Sequence, residues 1–303
     1  MITDSQPSTQ ALANSTANHW RQGPVGIVGL GLIGGSLALD LQHQGVEVRA
    51  LVHREATAER ARQRLLATDV STDPVVLAGC SLVVLALPLD RLLEPPQELV
   101  AALPPQAVIT DVGSVKAPVL ELWQGLHPRF VASHPMAGTA EAGVEAGVAG
   151  LFAGRPWVVT PEPRTDPACL AMVQSLAEAV GAHWLSCGAA EHDQAVALIS
   201  HLPVLIGAAL LQTADRAGAA GVEDLPALVR ALASSGFADT SRVGGGNPEL
   251  GTLMARCNRA ALLPALAAYR QHLEALEQQV SHGDWQGLRQ ELDRSQELRP
   301  QFL

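Results

Sequence analysis

Short apolar runs and helically spaced segments alternate along the first half of the chain. Val25–Leu30 is an apolar run that ends in glycines, and Ile33–Gln44 carries apolar residues at helical intervals. Val46–Val52 alternates, Glu55–Leu66 is charged and helical, and Ser81–Pro88 ("SLVVLALP") reads as a strand buried on both faces. Ala107–Thr110 reads as another strand and Val115–Leu126 as a helix. Trp157–Thr160 and His183–Leu185 read as further strands around a helix over Pro167–Val180. Strands separated by helices predict a parallel, doubly wound sheet. Past about Ala190 the strand pattern stops. Helices are predicted over Glu191–Arg216, Asp224–Ser235, Pro248–Asn258, Ala261–Ser281 and Asp284–Leu298.

One of these helices constrains the assembly. Ala195–Ala214 is apolar on almost every face, so it must be buried all round. A helical domain of roughly 115 residues would struggle to surround it alone, which predicts a homodimer through that domain; the alternative is burial against the first domain. Ser200, His201 and Pro203 inside the segment argue against a membrane span. The first 22 residues are polar and patternless and read as a disordered tail, without the apolar centre of a signal peptide.

Composition adds exclusions. The 303 residues are 48% hydrophobic and only 3% aromatic, so a large core must be built from Ala, Leu and Val. The formal net charge is −10 with no basic stripe, which excludes nucleic acid and anionic membrane as partners. Cys80, Cys169, Cys187 and Cys257 are scattered with no CxxC pair. They read as reduced thiols of a cytoplasmic protein without a metal site.

Gly29-Leu30-Gly31-Leu32-Ile33-Gly34 is GxGxxG, placed directly after a predicted strand and at the start of a predicted helix. That context makes it a dinucleotide cradle. Gly29 permits the tight turn, Gly31 lets the backbone approach a pyrophosphate, and Gly34 lets helix and strand pack closely. The free N–H groups through Leu32 and Ile33 face the phosphates. The fold class is therefore an α/β Rossmann-like doubly wound sheet over residues 23–188, followed by an all-α domain over 189–303. Leu87 and Pro88 end the fourth strand, at the ligand crevice.

The second strand discriminates between dinucleotides. An NAD site ends this strand with an acid for the ribose 2′-OH. Here Val52 is followed by His53 and Arg54. Arg54 suits a 2′-phosphate through a charge-assisted fork, and Thr57 adds a hydroxyl, so the expected cofactor is NADP. The competing reading has Arg54 as a solvated arginine and Glu55 on the ribose. In "TDVGSVK", Ser114 lies where the fifth strand turns into a helix, and it reads equally as an N-cap or as a functional hydroxyl.

The chain resembles the TyrA dehydrogenases, which oxidise prephenate or arogenate in tyrosine biosynthesis. The resemblance spans about Pro24 to Leu298. It rests on GLGLIGGS (29–36), DVGSVK (111–116), SHPMAGT (133–139), HDQAVALISHLP (192–203) and SSGFADTSRVGGGNPELG (234–251). It is nearest the cyanobacterial, arogenate-using branch. It implies that His134 is the catalytic histidine, accepting a hydrogen bond from the ring hydroxyl of a cyclohexadienol substrate. That substrate loses a hydride and CO2 and becomes a phenol. A neutral imidazole can take the hydroxyl proton. By the same resemblance Ser114 hydrogen-bonds that histidine, and Arg242 clamps the substrate's ring carboxylate. Gly244–Gly246 are read as letting the Arg242 loop approach the ligand.

Gly138 and Thr139, at the end of the histidine motif, are read as substrate contacts. Asp193, Ala197, Ser200 and His201 fall on one helix face. His192 and Asp193 are expected to start that helix, and Pro203 to kink it. His201 is read either as a substrate contact or as part of a buried structural network. The chain departs from the HLPH of many prephenate-using members, reading His201-Leu202-Pro203-Val204. This is consistent with arogenate. No appended mutase-like or regulatory domain is expected. Prephenate dehydrogenase is the near alternative. A β-hydroxyacid dehydrogenase is disfavoured because Lys116 is the only lysine, and an NADP-sensing protein without catalysis would need neither His134 nor Arg242.

Overall fold

The computed structural model describes residues 19–139, 141–216 and 225–302. Strands β1 (Val25–Val28), β2 (Val48–Leu51), β3 (Asp69–Ser71), β4 (Leu82–Leu85), β5 (Val108–Asp111) and β6 (Phe130–Val131) form one parallel sheet in the order β3-β2-β1-β4-β5-β6. Parallel strands need crossovers, and helices α1 (Leu32–His43), α2 (Glu55–Gln63), α3 (Leu89–Leu93), α4 (Gln97–Ala102) and α5 (Ala117–Leu126) lie between them in the chain. All residues of β1, β4 and β5 are buried. Successive side chains alternate faces: Ile27 packs in the cluster with Leu37 and Leu41 of α1, and Val28 in the opposite cluster with Val119 and Trp123 of α5. This is the doubly wound domain that the alternation predicts.

The later strands do not extend this sheet. β7 (Ser133–Pro135), β8 (Pro156–Val159) and β9 (His183–Ser186) make a separate three-stranded sheet. β7 runs antiparallel to β8, and β8 pairs parallel with β9 across helix α6 (Pro167–Ala179). The predicted tail is also shorter than 22 residues. His19–Gln22 forms a 3₁₀ turn, and Trp20 is fully buried with its indole N–H on Ser175 Oγ at 3.1 Å. A single indole removes enough apolar surface to order a polar segment. Residues 1–18 lie outside the described residues.

Beyond Gly188 the described chain is helical: α7 (Ala189–Val196), a π-helical turn over Ala197–His201, α8 (Leu202–Arg216), α9 (Leu225–Leu232), α10 (Ser235–Ser241), α11 (Pro248–Cys257), α12 (Arg259–His282) and α13 (Trp285–Leu298). The predicted helix over 224–235 ends at Leu232, with Ser235 opening the next helix, and Asp224 lies outside the described residues. The π turn is the form taken by the disruption expected at Pro203. Proline has no N–H and clashes with the carbonyl four residues earlier, so the preceding turn widens. The long helix Ala189–Arg216 would be long and apolar enough to cross a membrane by length and composition alone, but it carries the buried polar residues His192, Asp193 and His201. Within one chain it is not buried all round, because Leu198 and Ile199 are more than half exposed.

Candidate active site

Each glycine of the cradle has a separate geometric reason. Gly29 has φ +96°, a left-handed conformation that favours glycine, and a Cβ there would lie 2.4 Å from Ala86 O. A Cβ on Gly34 would lie 2.0 Å from Gly29 O, so the helix–strand crossing admits only glycine. Gly31 has no atom within 4 Å of its Cβ position. Its missing side chain leaves open space at the N-terminus of α1, where the Leu32 and Ile33 amides begin the helix and an anion is favoured. Leu87 Cδ2 approaches the Gly29 turn, and Pro88 follows at the end of β4. The residues present therefore fit a dinucleotide diphosphate.

At the end of β2, His53 and Arg54 are exposed, and Arg54 makes no ion pair among the described residues. Glu55 is engaged: Arg62 Nη1 lies 2.7 Å from its Oε1, and the Thr72 hydroxyl approaches its Oε2 at 3.5 Å. Thr57 is half-buried in the first turn of α2, its N–H on Arg54 O at 2.9 Å.

His134 sits on β7, held from both sides. Its backbone is in register with Val158. The residue before it, Ser133, is tied to the end of β5: its N–H donates to Asp111 Oδ1 at 3.1 Å, and its hydroxyl donates to Asp111 O at 2.8 Å. That hydroxyl has one proton, so it accepts from Trp157 Nε1 at 3.0 Å and from Thr110 Oγ1 at 2.9 Å. Lys116 supplies a further tie. Its side chain is fully buried, its ammonium pairs with Asp111 Oδ2, and it donates to Ser133 O at 2.6 Å. The only lysine of the chain is thus an anchor one residue away from the histidine.

The His134 ring reaches the helical domain. Its Nδ1 lies 2.9 Å from His192 Nε2, and His192 Nδ1 lies 2.8 Å from Asp193 Oδ1. The Asp193 carboxylate takes the N–H groups of Lys116 at 2.7 Å and Ala117 at 2.9 Å. Asp193 therefore meets the positive end of α5 rather than starting its own helix, which begins at Ala189 with Glu191 accepting the Gly188 N–H at 3.0 Å. Asn258 Nδ2 donates to Asp193 O at 2.7 Å and to His201 Nδ1 at 3.1 Å. With Nδ1 accepting, a neutral His201 carries its proton on Nε2, which is buried with no partner among the described residues. One nitrogen of His201 is structural, and the other is a donor without an acceptor.

Burial pushes the His134 ring well below the usual histidine value. The Lys116 ammonium, His192 and His201 add to the same direction. Burial also lowers His201, to about 4, partly offset by Asp193. Both rings stay neutral in the folded protein at pH values where they are protonated when unfolded. Below about 6.5, the ordinary histidine value, the unfolded chain therefore binds more protons and stability falls with pH. For His201 the loss continues down to about 4. Thermal melts are expected to show a lower midpoint at about pH 5 than at about pH 7.5, and an equal or higher midpoint would contradict it.

Other predicted residues are placed differently. Ser114 is half-buried in the turn after β5, and its Oγ makes no hydrogen bond among the described residues. It does not cap α5, whose N-cap is Lys116, and among the described residues its Oγ makes no hydrogen bond to the His134 ring, whose Nδ1 meets His192. Gly138 and Thr139 are exposed in the loop after β7, and Thr139 Oγ1 accepts the Glu141 N–H at 3.2 Å. Arg242 is exposed at the start of a 3₁₀ turn over Arg242–Gly245. Gly244 has a packing reason of its own: its Cβ would lie 2.1 Å from Gly207 C, so the Arg242 turn rests backbone to backbone on α8. His192, Asp193 and Lys116 also belong to the site. Only the adjacency of His192 and Asp193 within a motif hinted at their shared role.

A glycine cradle on a 3-2-1-4-5-6 parallel sheet, with a half-buried histidine of lowered pKa at the same carboxyl edge, defines a dinucleotide-dependent dehydrogenase. Two family models match consecutively: "Prephenate dehydrogenase, nucleotide-binding domain" over residues 37–186 and "Prephenate dehydrogenase, dimerization domain" over 188–294. A cyclohexadienyl dehydrogenase of Zymomonas mobilis is 31% identical over 91% of this chain and 94% of its own. A prephenate dehydrogenase of Bacillus subtilis is 28% identical over 86% of this chain and 71% of its own. Among solved structures, Synechocystis arogenate dehydrogenase is 42% identical, with a TM-score of 0.78 over 92% of this chain and 100% of that one. The prephenate dehydrogenase of A. aeolicus, in complex with hydroxyphenyl propionate and NAD+, is 25% identical, with a TM-score of 0.83 over 92% of this chain and 98% of that one. The chain belongs to the prephenate dehydrogenase (TyrA) family.

Proposed function

We propose that the protein is a cytoplasmic, NADP-dependent arogenate dehydrogenase, which converts arogenate to tyrosine and CO2 with hydride passing to NADP. The observation that carries the activity is the neutral His134 ring, held at the carboxyl edge of the sheet that bears the glycine cradle. When bound there, the nicotinamide supplies the hydride acceptor. This chain's own residues do the rest. His134 takes the proton of the ring hydroxyl, while Arg242 and the His201 Nε2–H hold carboxylate or hydroxyl oxygens of the substrate, with Gly138 and Thr139 at the rim. Ser114, whose Oγ has no hydrogen-bond partner among the described residues, is available to the substrate or the nicotinamide.

Similarity to the Synechocystis arogenate dehydrogenase supports arogenate. So does Val204, half-buried where many prephenate-using relatives place a second histidine. Prephenate is the alternative substrate, favoured by the names of the curated relatives. Turnover of both compounds with NADP and NAD tests the reading. Activity with arogenate and NADP is expected to dominate, and oxidation of neither compound with either cofactor would reject the activity.

Arg54 supports NADP, because Glu55 is drawn to Arg62 and leaves the guanidinium and His53 at the position of a 2′-phosphate. Arg54→Ala is expected to raise the KM for NADP by about 10-fold, a loss of roughly 1.4 kcal/mol of charge-assisted binding, with little change for NAD. Equal effects on the two cofactors would favour a ribose contact from Glu55 instead.

The reading includes a homodimer through residues 189–303. Leu198, Ile199, Leu273, Val280 and Trp285 are each more than half exposed on the helical half, more apolar surface than a soluble monomer ordinarily leaves open. The matching model of that half is described as a dimerization domain. Sedimentation analysis is expected to give twice the chain mass, and a monomeric mass would reject this part.

A further inference from the structure

We propose that His192 and Asp193 are positioning residues that hold His134 in one tautomer, with its proton on Nδ1 and its lone pair on Nε2. This rests on the reading of His134 as the proton acceptor. Asp193 receives two backbone N–H groups at the N-terminus of α5, at 2.7 and 2.9 Å. Both of its oxygens thus accept, as those of a carboxylate do. An ionised carboxylate only accepts, so the hydrogen in its 2.8 Å contact with His192 Nδ1 belongs to His192. A neutral His192 then has no proton left for Nε2, which must accept. Its partner 2.9 Å away is His134 Nδ1, which must donate. A neutral His134 has one ring proton, so Nε2 keeps the lone pair. Among the described residues no other group bonds the His134 ring.

Both ends of this chain are fixed. Asn258 holds the Asp193 backbone, and Lys116 with Asp111 holds Ser133, next to His134. When the substrate O–H bond breaks, the proton forms a bond to Nε2 and His134 becomes a cation. Its Nδ1–H points through His192 to a fixed anion, which stabilises that charge without a second proton leaving the ring. The Lys116 ammonium acts the other way and keeps the ring neutral before the proton arrives.

Asp193→Ala removes the acceptors: Oδ1, which takes both the Lys116 N–H and the His192 Nδ1–H, and Oδ2, which takes the Ala117 N–H. Nothing then holds the His192 proton on Nδ1. It is free to move to Nε2, and the His134 proton to its own Nε2, so that the lone pair no longer faces the substrate. Removing the carboxylate behind the histidine of a Ser-His-Asp triad lowers kcat by about 10⁴. His192→Gln is the conservative variant, since its side-chain oxygen can still accept from His134 Nδ1.

The test is the nitrogen spectrum of the full-length enzyme carrying ¹⁵N-histidine, with His134→Gln used for assignment. The expected result is a pyridine-type Nε2 on His134 in the parent enzyme and in His192→Gln, and a pyrrole-type contribution at Nε2 in Asp193→Ala. In Asp193→Ala kcat should fall by at least about 10²-fold, with the KM for NADP unchanged. A pyrrole-type Nε2 in the parent enzyme, as would follow if His192 were an imidazolium donating to His134, overturns the proposal. So does an Asp193→Ala protein that folds with Nε2 as fully pyridine-type as in the parent. Should Asp193→Ala fail to fold, the parent and His192→Gln spectra decide. Failure to oxidise either substrate would count against the proposed function alone, because the tautomer is read without turnover.

Discussion

Glutamine in place of His134 is expected to lower kcat by about 10²- to 10⁴-fold, the range for loss of a positioned general base, while dinucleotide affinity stays near that of the parent enzyme. The cradle at Gly29–Gly34 and the His134 ring are built from separate parts. The glycines depend on β1, β4 and α1, and the ring depends on β7, β8 and α7. Removing the imidazole therefore leaves the phosphate site intact. Glutamine preserves bulk and a polar end that can meet His192, which limits collapse of the pocket. What it cannot supply is a basic nitrogen. Aromatisation of the product drives the reaction, so a residual rate from positioning alone is expected to remain. Steady-state rates and direct titration of NADP binding check both halves. A kcat within a few-fold of the parent would move the proton acceptor to another group.

The largest effect on stability is expected from Lys116→Met, at about 3–5 kcal/mol, the cost of breaking a buried ion pair from one side. Lys116 and Asp111 are both fully buried. Without the ammonium, Asp111 keeps the N–H groups of Gly113 at 2.9 Å and Ser133 at 3.1 Å but loses its counter-charge. The Ser133 carbonyl loses its donor as well. Burial lowers the Lys116 pKa, and the Asp111 charge opposes that shift and favours the ammonium. The double variant Lys116→Met/Asp111→Asn is expected to recover part of the loss, because a neutral amide no longer needs a counter-charge. Urea unfolding of both variants checks this. A single variant within about 1 kcal/mol of the parent would mean that water or relaxation replaces the pair.

The elements that the amino-acid pattern locates correctly are those whose causes are local. Residues 32–43 and 167–179 are helical because their apolar spacing says so, and Gly29, Gly31 and Gly34 take their roles within one strand–turn–helix. Arg54 is legible for the same reason, as the residue that ends β2. Family motifs carried the reading further, to His134 itself.

What stayed hidden joins distant parts of the chain. Trp20 orders a segment that composition marks as a tail, through Ser175, 155 residues away. Asp193 suits a helix N-terminus, as its residue type implies, but that terminus belongs to α5, 77 residues earlier. Ser114 looks like the cap of α5 and is displaced from that role by the same carboxylate. Lys116 would be solvated by default. It is buried because folding brings Asp111 and the Ser133 carbonyl to its ammonium. By itself the sequence determined the α/β and all-α halves, the dinucleotide cradle and the family, since these follow from periodicity, short-range sterics and motif order. Only the tertiary structure decided which nitrogen of His134 is bonded and by what, because a hydrogen bond is set by the position of both partners, and one of them lies 58 residues further along the chain.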